Sequence, residues 1–301
     1  MRAGSWRRLW RHRFNVQTFF ANSQFDFERT LRFTLGSREE YATLVGKQLR
    51  SGKKRLRFNG FGGGTVFPVA KAEGRQREVW HGSCVPSLAP EPPAPQHLPM
   101  PSDFLDLEAS MEFPLFLSKR DCKCWFDQLR CPQSIRPWLG CPPVTTTELI
   151  DHAGFTMNEM SQYLDGDGRL QPSSRLYPTS IVFPMGFSWS SAVAQATLLE
   201  VAMRAGFEEE LFLASDQPFP ANLGVDGEAL ALATDDLMHF CRDPAVALDA
   251  MARYDAALAD VGGQQNRGKD VTASLHGTAI GVDLSDGLHL DPHAPRLCSI
   301  W

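Results

Sequence analysis

Three carboxylates carry the chemistry this sequence offers. Asp235 and Asp236 are adjacent within an otherwise apolar run, Leu232-Ala233-Thr234-Asp235-Asp236-Leu237-Met238-His239-Phe240. A charge pair has no cheap place in a strand core. Two readings fit. In one, the aspartates face water in a hairpin turn, where Asp is common. In the other, a tight turn between two strands holds carboxylates on a hard divalent cation. Such a cation takes oxygen ligands, often one or two carboxylates plus substrate phosphates. A third acid shifts the balance toward the second reading. Asp121 lies in Lys119-Arg120-Asp121-Cys122-Lys123-Cys124-Trp125-Phe126-Asp127-Gln128, between a strand-like run and an aromatic.

The elements that must position these acids follow from periodicity and punctuation. Residues 113–117 read as a strand leading to Asp121. Residues 181–187 read as an apolar strand breaking at Pro184-Met185-Gly186. Ser188 to Ser191 then offer N-caps for a helix over 192–205. A loop over 214–227 leads into the Asp-Asp strand pair. Asp243-Pro244 opens a second helix, which stops at Gly262-Gly263. Residues 278–284 read as a strand and 289–301 as a tail.

Upstream, Ser37 caps a helix over 37–50, and 51–57 reads as a basic loop. The glycine-rich stretch 59–65 lacks a following Gly-Lys-Ser/Thr, unlike a nucleotide P-loop. Residues 66–70 and 77–80 pair as a hairpin with a basic tip. That tip either grips phosphate oxygens or is a solvated turn. Residues 86–101 are proline-rich and exclude helix and central strand. Ser102 reads as an N-cap restarting regular structure. Residues 164–170 resemble part of a calcium loop, but Tyr163 and Ser174 stand where two ligands are needed, which makes an exposed turn.

Composition bounds the rest. The 301 residues are long enough for one large or two ordinary domains, and 43% hydrophobic content is globular. No apolar run approaches the roughly 18–20 residues of a membrane span. The net charge of −5 hides an asymmetry: residues 1–60 carry 14 of the 30 Lys and Arg but only 4 of the 35 Asp and Glu. A basic leader on an acidic body suits an arm for phosphates or a solvated tail, and as an organellar targeting signal it is weak. Cys84, Cys122, Cys124, Cys131, Cys141, Cys241 and Cys298 fit neither a disulfide framework nor a zinc pattern, so they read as reduced thiols of an intracellular protein, cytoplasmic or nuclear.

The order of these stretches resembles the reverse transcriptase palm, particularly that of long-terminal-repeat and related retrotransposons, over roughly 61–293. Asp121 followed by Phe126 and Gln128 resembles the first motif. Pro184-Met185-Gly186-Phe187-Ser188 resembles the second, Ala233-Thr234-Asp235-Asp236 the third, Gly262 to Lys269 the fourth, and Ile280-Gly281-Val282 the fifth. His97-Leu98-Pro99-Met100-Pro101 resembles the lead-in to the palm. The family's aromatic before the Asp pair is Ala233 here. Met185 stands where Gln or Phe is frequent, and His81 and Ser83 replace an Asp and an Arg beyond Arg77.

The resemblance implies an α+β fold: a palm of antiparallel sheet backed by helices, with a fingers subdomain and a thumb reduced or absent. It implies a basic, partly disordered segment over 1–60, a fingers part and proline-rich connection over 61–101, a palm with fingers insertion over 102–293 and a tail over 294–301. Asp121, Asp235 and Asp236 would hold two Mg²⁺ or Mn²⁺ ions, with Lys269 protonating the leaving pyrophosphate. Lys71, Arg77, Phe126, Met185 and Gly186 would bind the deoxynucleoside triphosphate, Phe126 excluding a 2′-hydroxyl, and Ile280 with Gly281 would grip the primer. The implied partners are deoxynucleoside triphosphates and an RNA or DNA template–primer, with no membrane. The alternatives are a decayed or domesticated copy that binds nucleic acid without catalysis, and an unrelated globular protein whose three acids lie apart. Phe126 argues against an RNA-dependent RNA polymerase, in which a second Asp stands at that place.

Overall fold

The computed structural model describes residues 37–71, 74, 76–82, 91–104, 106–220, 223 and 227–292. It is mixed α/β with antiparallel sheets. Helix α1 (Arg38–Arg50) precedes strands β1 (Lys54–Arg57), β2 (Thr65–Ala70), β3 (Gln76–His81), β4 (Phe116–Asp121) and β5 (Val144–Thr145). Helix α2 (Thr146–Ala153), strand β6 (Arg175–Ser180) and helix α3 (Ser188–Arg204) follow. Then come β7 (Glu228–Ala233), β8 (Asp236–Cys241), helix α4 (Pro244–Asp260), β9 (Val271–Ser274), β10 (Gly277–Ala279), β11 (Val282–Ser285) and β12 (His289–Pro292). Among the described residues the chain forms two compact units, one from 93–125 and 191–292, the other from 37–92 and 126–190.

The first unit is built on a four-stranded antiparallel sheet of order β7-β8-β4-β9. Successive strand residues point to opposite faces, so register decides what shares a face. Leu117 pairs with Phe240, Lys119 with Met238 and Asp121 with Asp236; across β8, Ala229, Ala231 and Ala233 complete the same three rows. At one end this face is apolar, and Leu117, Met238 and Phe240 pack with Phe104, Leu115, Val282 and Leu284. Each such fully buried side chain is worth about 1.5–3 kcal/mol. At the other end of the same face stand the carboxylates.

Helix α4 lies against the opposite face. Asp243 accepts from the Ala245 N–H as N-cap, Pro244 occupies the first turn, and Ala247, Ala250, Met251, Tyr254 and Leu258 form the buried stripe. Arg120 points to this side and pairs with Asp255 of the helix at 2.8 and 3.2 Å. A three-stranded sheet, β10-β11-β12, completes the unit. The single strand expected over 278–284 is instead a hairpin, because Ile280 and Gly281 both adopt positive φ (47° and 78°) and reverse the chain between paired Ala279 and Val282. Ser102 lies inside the short 3₁₀ turn Pro101–Phe104 rather than capping it, and the Asp103 carboxylate reaches back to accept the Met100 N–H at 2.6 Å.

The second unit holds the sheet β1-β6-β5, the hairpin β2-β3, and helices α1 and α2. Ser37 caps α1 as expected, accepting from the Glu39 and Glu40 N–H groups. Residues 54–57, expected in a basic loop, are strand β1 paired with β6. Basic composition concealed an inward row, in which Leu56 is fully buried and Lys54 is 3% exposed with Nζ 2.8 Å from Cys141 Sγ. The expected strand at 181–187 forms earlier, at β6. The N–H groups of Ile181 and Phe183 go to Lys53 and Leu129 carbonyls on different segments, so the apolar run is buried without joining a ladder. Helix α3 begins at Ser188, ahead of the expected 192. Asp165 in the glycine turn pairs with Arg57 at 3.1 Å, while Gly166, Asp167 and Gly168 are exposed.

Cys122, Cys124, Cys131, Cys141 and Cys241 are free thiols; Cys84 and Cys298, like residues 1–36, lie outside the described residues. Among the described residues no helix is long and apolar enough to cross a membrane.

Helices α1 and α2 pack closely at Gly46. A Cβ there would lie 2.6 Å from the Ala153 Cβ and 3.1 Å from the Phe155 ring. Gly46→Val therefore overpacks this contact, and we expect destabilisation of about 1–3 kcal/mol, read as a lower urea midpoint. An unchanged midpoint would show that the contact is slack.

Candidate functional site

Asp121 ends β4, and Asp236 begins β8 directly opposite it. Such cross-strand partners place their Cβ atoms about 4.5–5.5 Å apart on one face. The two-residue connection between β7 and β8 is Thr234-Asp235, and the Cys122 N–H donates to the Asp235 carbonyl at 2.8 Å. The three acids, 115 residues apart at the widest in a count from Asp121 to Asp236, thus meet at one end of one strand pair. Two neighbours register all three. Burial and then the fields of Asp235, Asp121 and Asp236 push the Cys122 thiol up to about 12, against a hydrogen bond shared with Tyr254 that lowers it. The Lys269 ammonium is raised chiefly by its hydrogen bond to Asp121, with Asp236 and Asp235 adding to the effect against partial burial.

Lys269 reaches the site because its segment is stitched to the end of β4. Lys123 N–H donates to Gln264 O, Asn266 N–H donates to Asp121 O, and Lys269 N–H closes a 3₁₀ turn on Asn266 O, at 2.9, 2.8 and 2.8 Å. Its Nζ lies 2.5 Å from Asp121 Oδ2. A second lysine, Lys119, sits 3.4 Å from Asp236 Oδ2. Motif reading passed over Lys119, yet its signal was present: two residues before Asp121 on a strand, it must share that face.

Like charges directly opposite are destabilising, and the lysines offset this only in part. Burial raises the Asp236 pKa; Lys119 lowers it and Asp121 raises it further, the net being upward. Asp236 Oδ1 is buried without a hydrogen-bond partner. Among the described residues no group of three or more His, Cys, Asp or Glu side chains is gathered into a metal cage. The donor chemistry nonetheless fits a hard divalent cation: the donors are carboxylate oxygens, one of them orphaned in a buried position, and a cation would supply the counter-charge that the two ammonium groups now provide.

The Asp-Asp turn is itself held in an uncommon conformation. Thr234 has φ +56° and the Asp235 N–H donates back to the Ala233 carbonyl at 2.6 Å, a three-residue γ-turn. Positive φ at a β-branched residue costs on the order of 1–3 kcal/mol. The Thr234 N–H donates to Gln195 Oε1 at 2.8 Å. Gln195 is the other contact that motif reading missed; its signal was a lone amide in the apolar stretch Ala192-Val193-Ala194-Gln195-Ala196.

The expected nucleotide-binding residues belong to the other unit. Gly186 (φ +103°) ends the Pro-Met-Gly turn against β3, where a Cβ would lie 2.0 Å from the Trp80 carbonyl. The Trp80 N–H donates to Met185 O at 2.8 Å. Arg77, on the same strand, and Lys71, just past β2, are exposed. Phe126 is half-buried; its carbonyl accepts from Leu129 N–H, whose own carbonyl accepts from Phe183 N–H. In the first unit, Ile280 packs against the apolar cluster, and Gly281 is the second turn residue beside it.

No protein-family model and no curated protein sequence matches the chain. Solved structures do. One is described as the foamy viral protease-reverse transcriptase dRH in complex with ds DNA, matched at TM-score 0.59 and 12% identity over 94% of this chain and 40% of that one. The native Prototype Foamy Virus protease-reverse transcriptase matches at 0.54 and 12%, over 84% of this chain and 26% of that one. The foamy viral protease-reverse transcriptase in complex with dsDNA matches at 0.53 and 13%, over 91% and 46%. This chain therefore spans less than half the length of each of these structures, and what it shares with them is the fold, which is reverse-transcriptase-like.

Proposed function

We propose that this chain performs template-directed DNA synthesis as a retroelement-derived reverse transcriptase, its first unit serving as palm and β2-β3 as part of the fingers. The observation that carries the reading is the β4–β8 register, which sets Asp121 opposite Asp236 with Asp235 in the adjoining turn. Two divalent cations, Mg²⁺ or Mn²⁺, held by these acids would activate a primer 3′-hydroxyl and steady the leaving oxygen. The chain's own groups do the rest. Lys269, whose ammonium stands beside Asp121, is placed to give its Nζ proton to the departing pyrophosphate. Lys71 and Arg77 neutralise triphosphate oxygens, Met185 and Gly186 floor the base pocket, and Phe126 packs against the sugar and excludes a 2′-hydroxyl. Ile280 and Gly281 hold the primer strand. The template–primer is held mainly through its phosphates.

A second reading draws on one observation: both opposed carboxylates already carry a lysine, and among the described residues no three-ligand cage is formed. That suits a copy that binds nucleic acid without catalysis. Primer extension separates the two. The wild-type chain is expected to extend a DNA primer with deoxynucleotides and Mg²⁺ or Mn²⁺, and Asp235→Asn to lower the rate by about 10²–10³-fold. Equal rates in both would eliminate catalysis by these acids, and retained template binding would then favour the second reading.

Lys269 gives a further test. Lys269→Ala should slow extension by about 10²-fold, the lower range of general-acid contributions, while leaving template–primer affinity within about twofold. A drop in affinity with an unchanged rate would reassign it to backbone binding.

A further inference from the structure

We propose that Gln195 is a positioning residue that clamps the strained turn presenting Asp235 and Asp236. The proposal deepens the polymerase reading and, as far as catalysis goes, rests on it. Gln195 is completely buried in helix α3, in the part of that helix belonging to the first unit. Its amide spends both ends on main chain. Oε1 accepts the Thr234 N–H at 2.8 Å, and Nε2 donates to the Leu232 carbonyl at 2.8 Å, two residues earlier on β7. The same Nε2 lies 3.1 Å from the Gln96 carbonyl and 3.3 Å from that of His97.

The two ends of one amide therefore bracket the turn, one on its last strand residues and one on its strained residue. No other side-chain type of that length supplies a donor and an acceptor without charge. The strain lies in the residue being held: Thr234, β-branched, sits at φ +56° in a γ-turn. A relaxed Thr234 would return to negative φ and re-aim Asp235 and Asp236, both within two residues of it. The clamp is anchored in turn. His97, also at positive φ (50°), is pinned by Asp216, which accepts from its N–H at 3.0 Å and meets its ring Nδ1 at 3.1 Å. The segment leading into the first unit is thus tied to the Asp-Asp turn through a single side chain.

The test uses the full chain. Gln195→Met keeps length and volume but removes both hydrogen-bonding ends. It should speed amide hydrogen exchange in the peptide covering residues 230–238. It should also lower kcat for primer extension by about 10²-fold with KM for the template–primer unchanged, as expected of a misplaced reacting group. Adding Thr234→Gly makes positive φ free of steric cost, so the double variant should recover kcat to within about tenfold of wild type. A Gln195 that merely fills the core would give a double variant no better than the single one, and that result overturns the proposal. So does wild-type exchange at the turn in Gln195→Met. If Gln195→Met fails to fold, a double variant that folds and protects the turn supports the clamp, and one that stays unfolded overturns it. Should the wild-type chain extend no primer at all, the polymerase reading fails, while faster exchange in Gln195→Met still upholds the clamp.

Discussion

The site depends on the register of two antiparallel strands. Pairing Asp121 with Asp236 puts two carboxylates on facing positions, an arrangement that costs free energy unless positive charge is near. A slip of one residue would move every side chain of β4 to the other face, sending Asp121 toward α4 and Arg120 toward the carboxylates. Two features resist that slip. The apolar end of the same face buries Leu117, Met238 and Phe240, and the opposite face pairs Arg120 with Asp255. The hydrophobic pattern and one ion pair thus hold an electrostatically unfavourable register in place.

The charge that offsets the acids comes from neighbouring segments. Lys119 is supplied by the same strand at the next position on the same face, and Lys269 by a 3₁₀ turn bonded to the Asp121 carbonyl. Even so, Asp236 keeps a raised pKa, with burial the largest cause, and a buried oxygen without a partner. Local burial is therefore under-compensated at one particular atom. A site optimised only for stability would have satisfied that oxygen, since an unsatisfied buried acceptor costs about 1–3 kcal/mol, more when charged. The proposed cation-binding role would put that oxygen to use.

Much of this was legible in the sequence, and the failures share a cause. The β7–β8 pair, the Ser37 and Asp243 caps and the Pro-Met-Gly turn were readable because each depends on residues within a few positions. The β1 strand was hidden because alternation was carried by a single Leu56 among basic residues, and the burial of Lys54 depends on Cys141 and Glu78, far along the chain. The apolar run after β6 looked like a strand because composition cannot show where its N–H groups go. The 280–281 reversal needed positive φ at an isoleucine, which no propensity anticipates. At the site, residue identities were readable, but Lys119 and Gln195 became meaningful only once register and helix placement were known.

The substitution of Ala233 for the aromatic that the resembling family carries before its Asp pair can now be given a physical setting. Ala233 lies in the same row as Asp121 and Asp236, so a small side chain there leaves the turn without the bulk of an aromatic on the carboxylate face. A turn that loses side-chain packing on one side must be held by other means, and here the hydrogen bonds come from behind, through the buried amide of Gln195 to Thr234 and Leu232. Hydrogen bonds to main chain fix position whatever the neighbouring side chain is, whereas packing depends on shape. On the proposed clamp the turn does not depend on an aromatic at residue 233, and the opposed carboxylates stand in register beside Ala233.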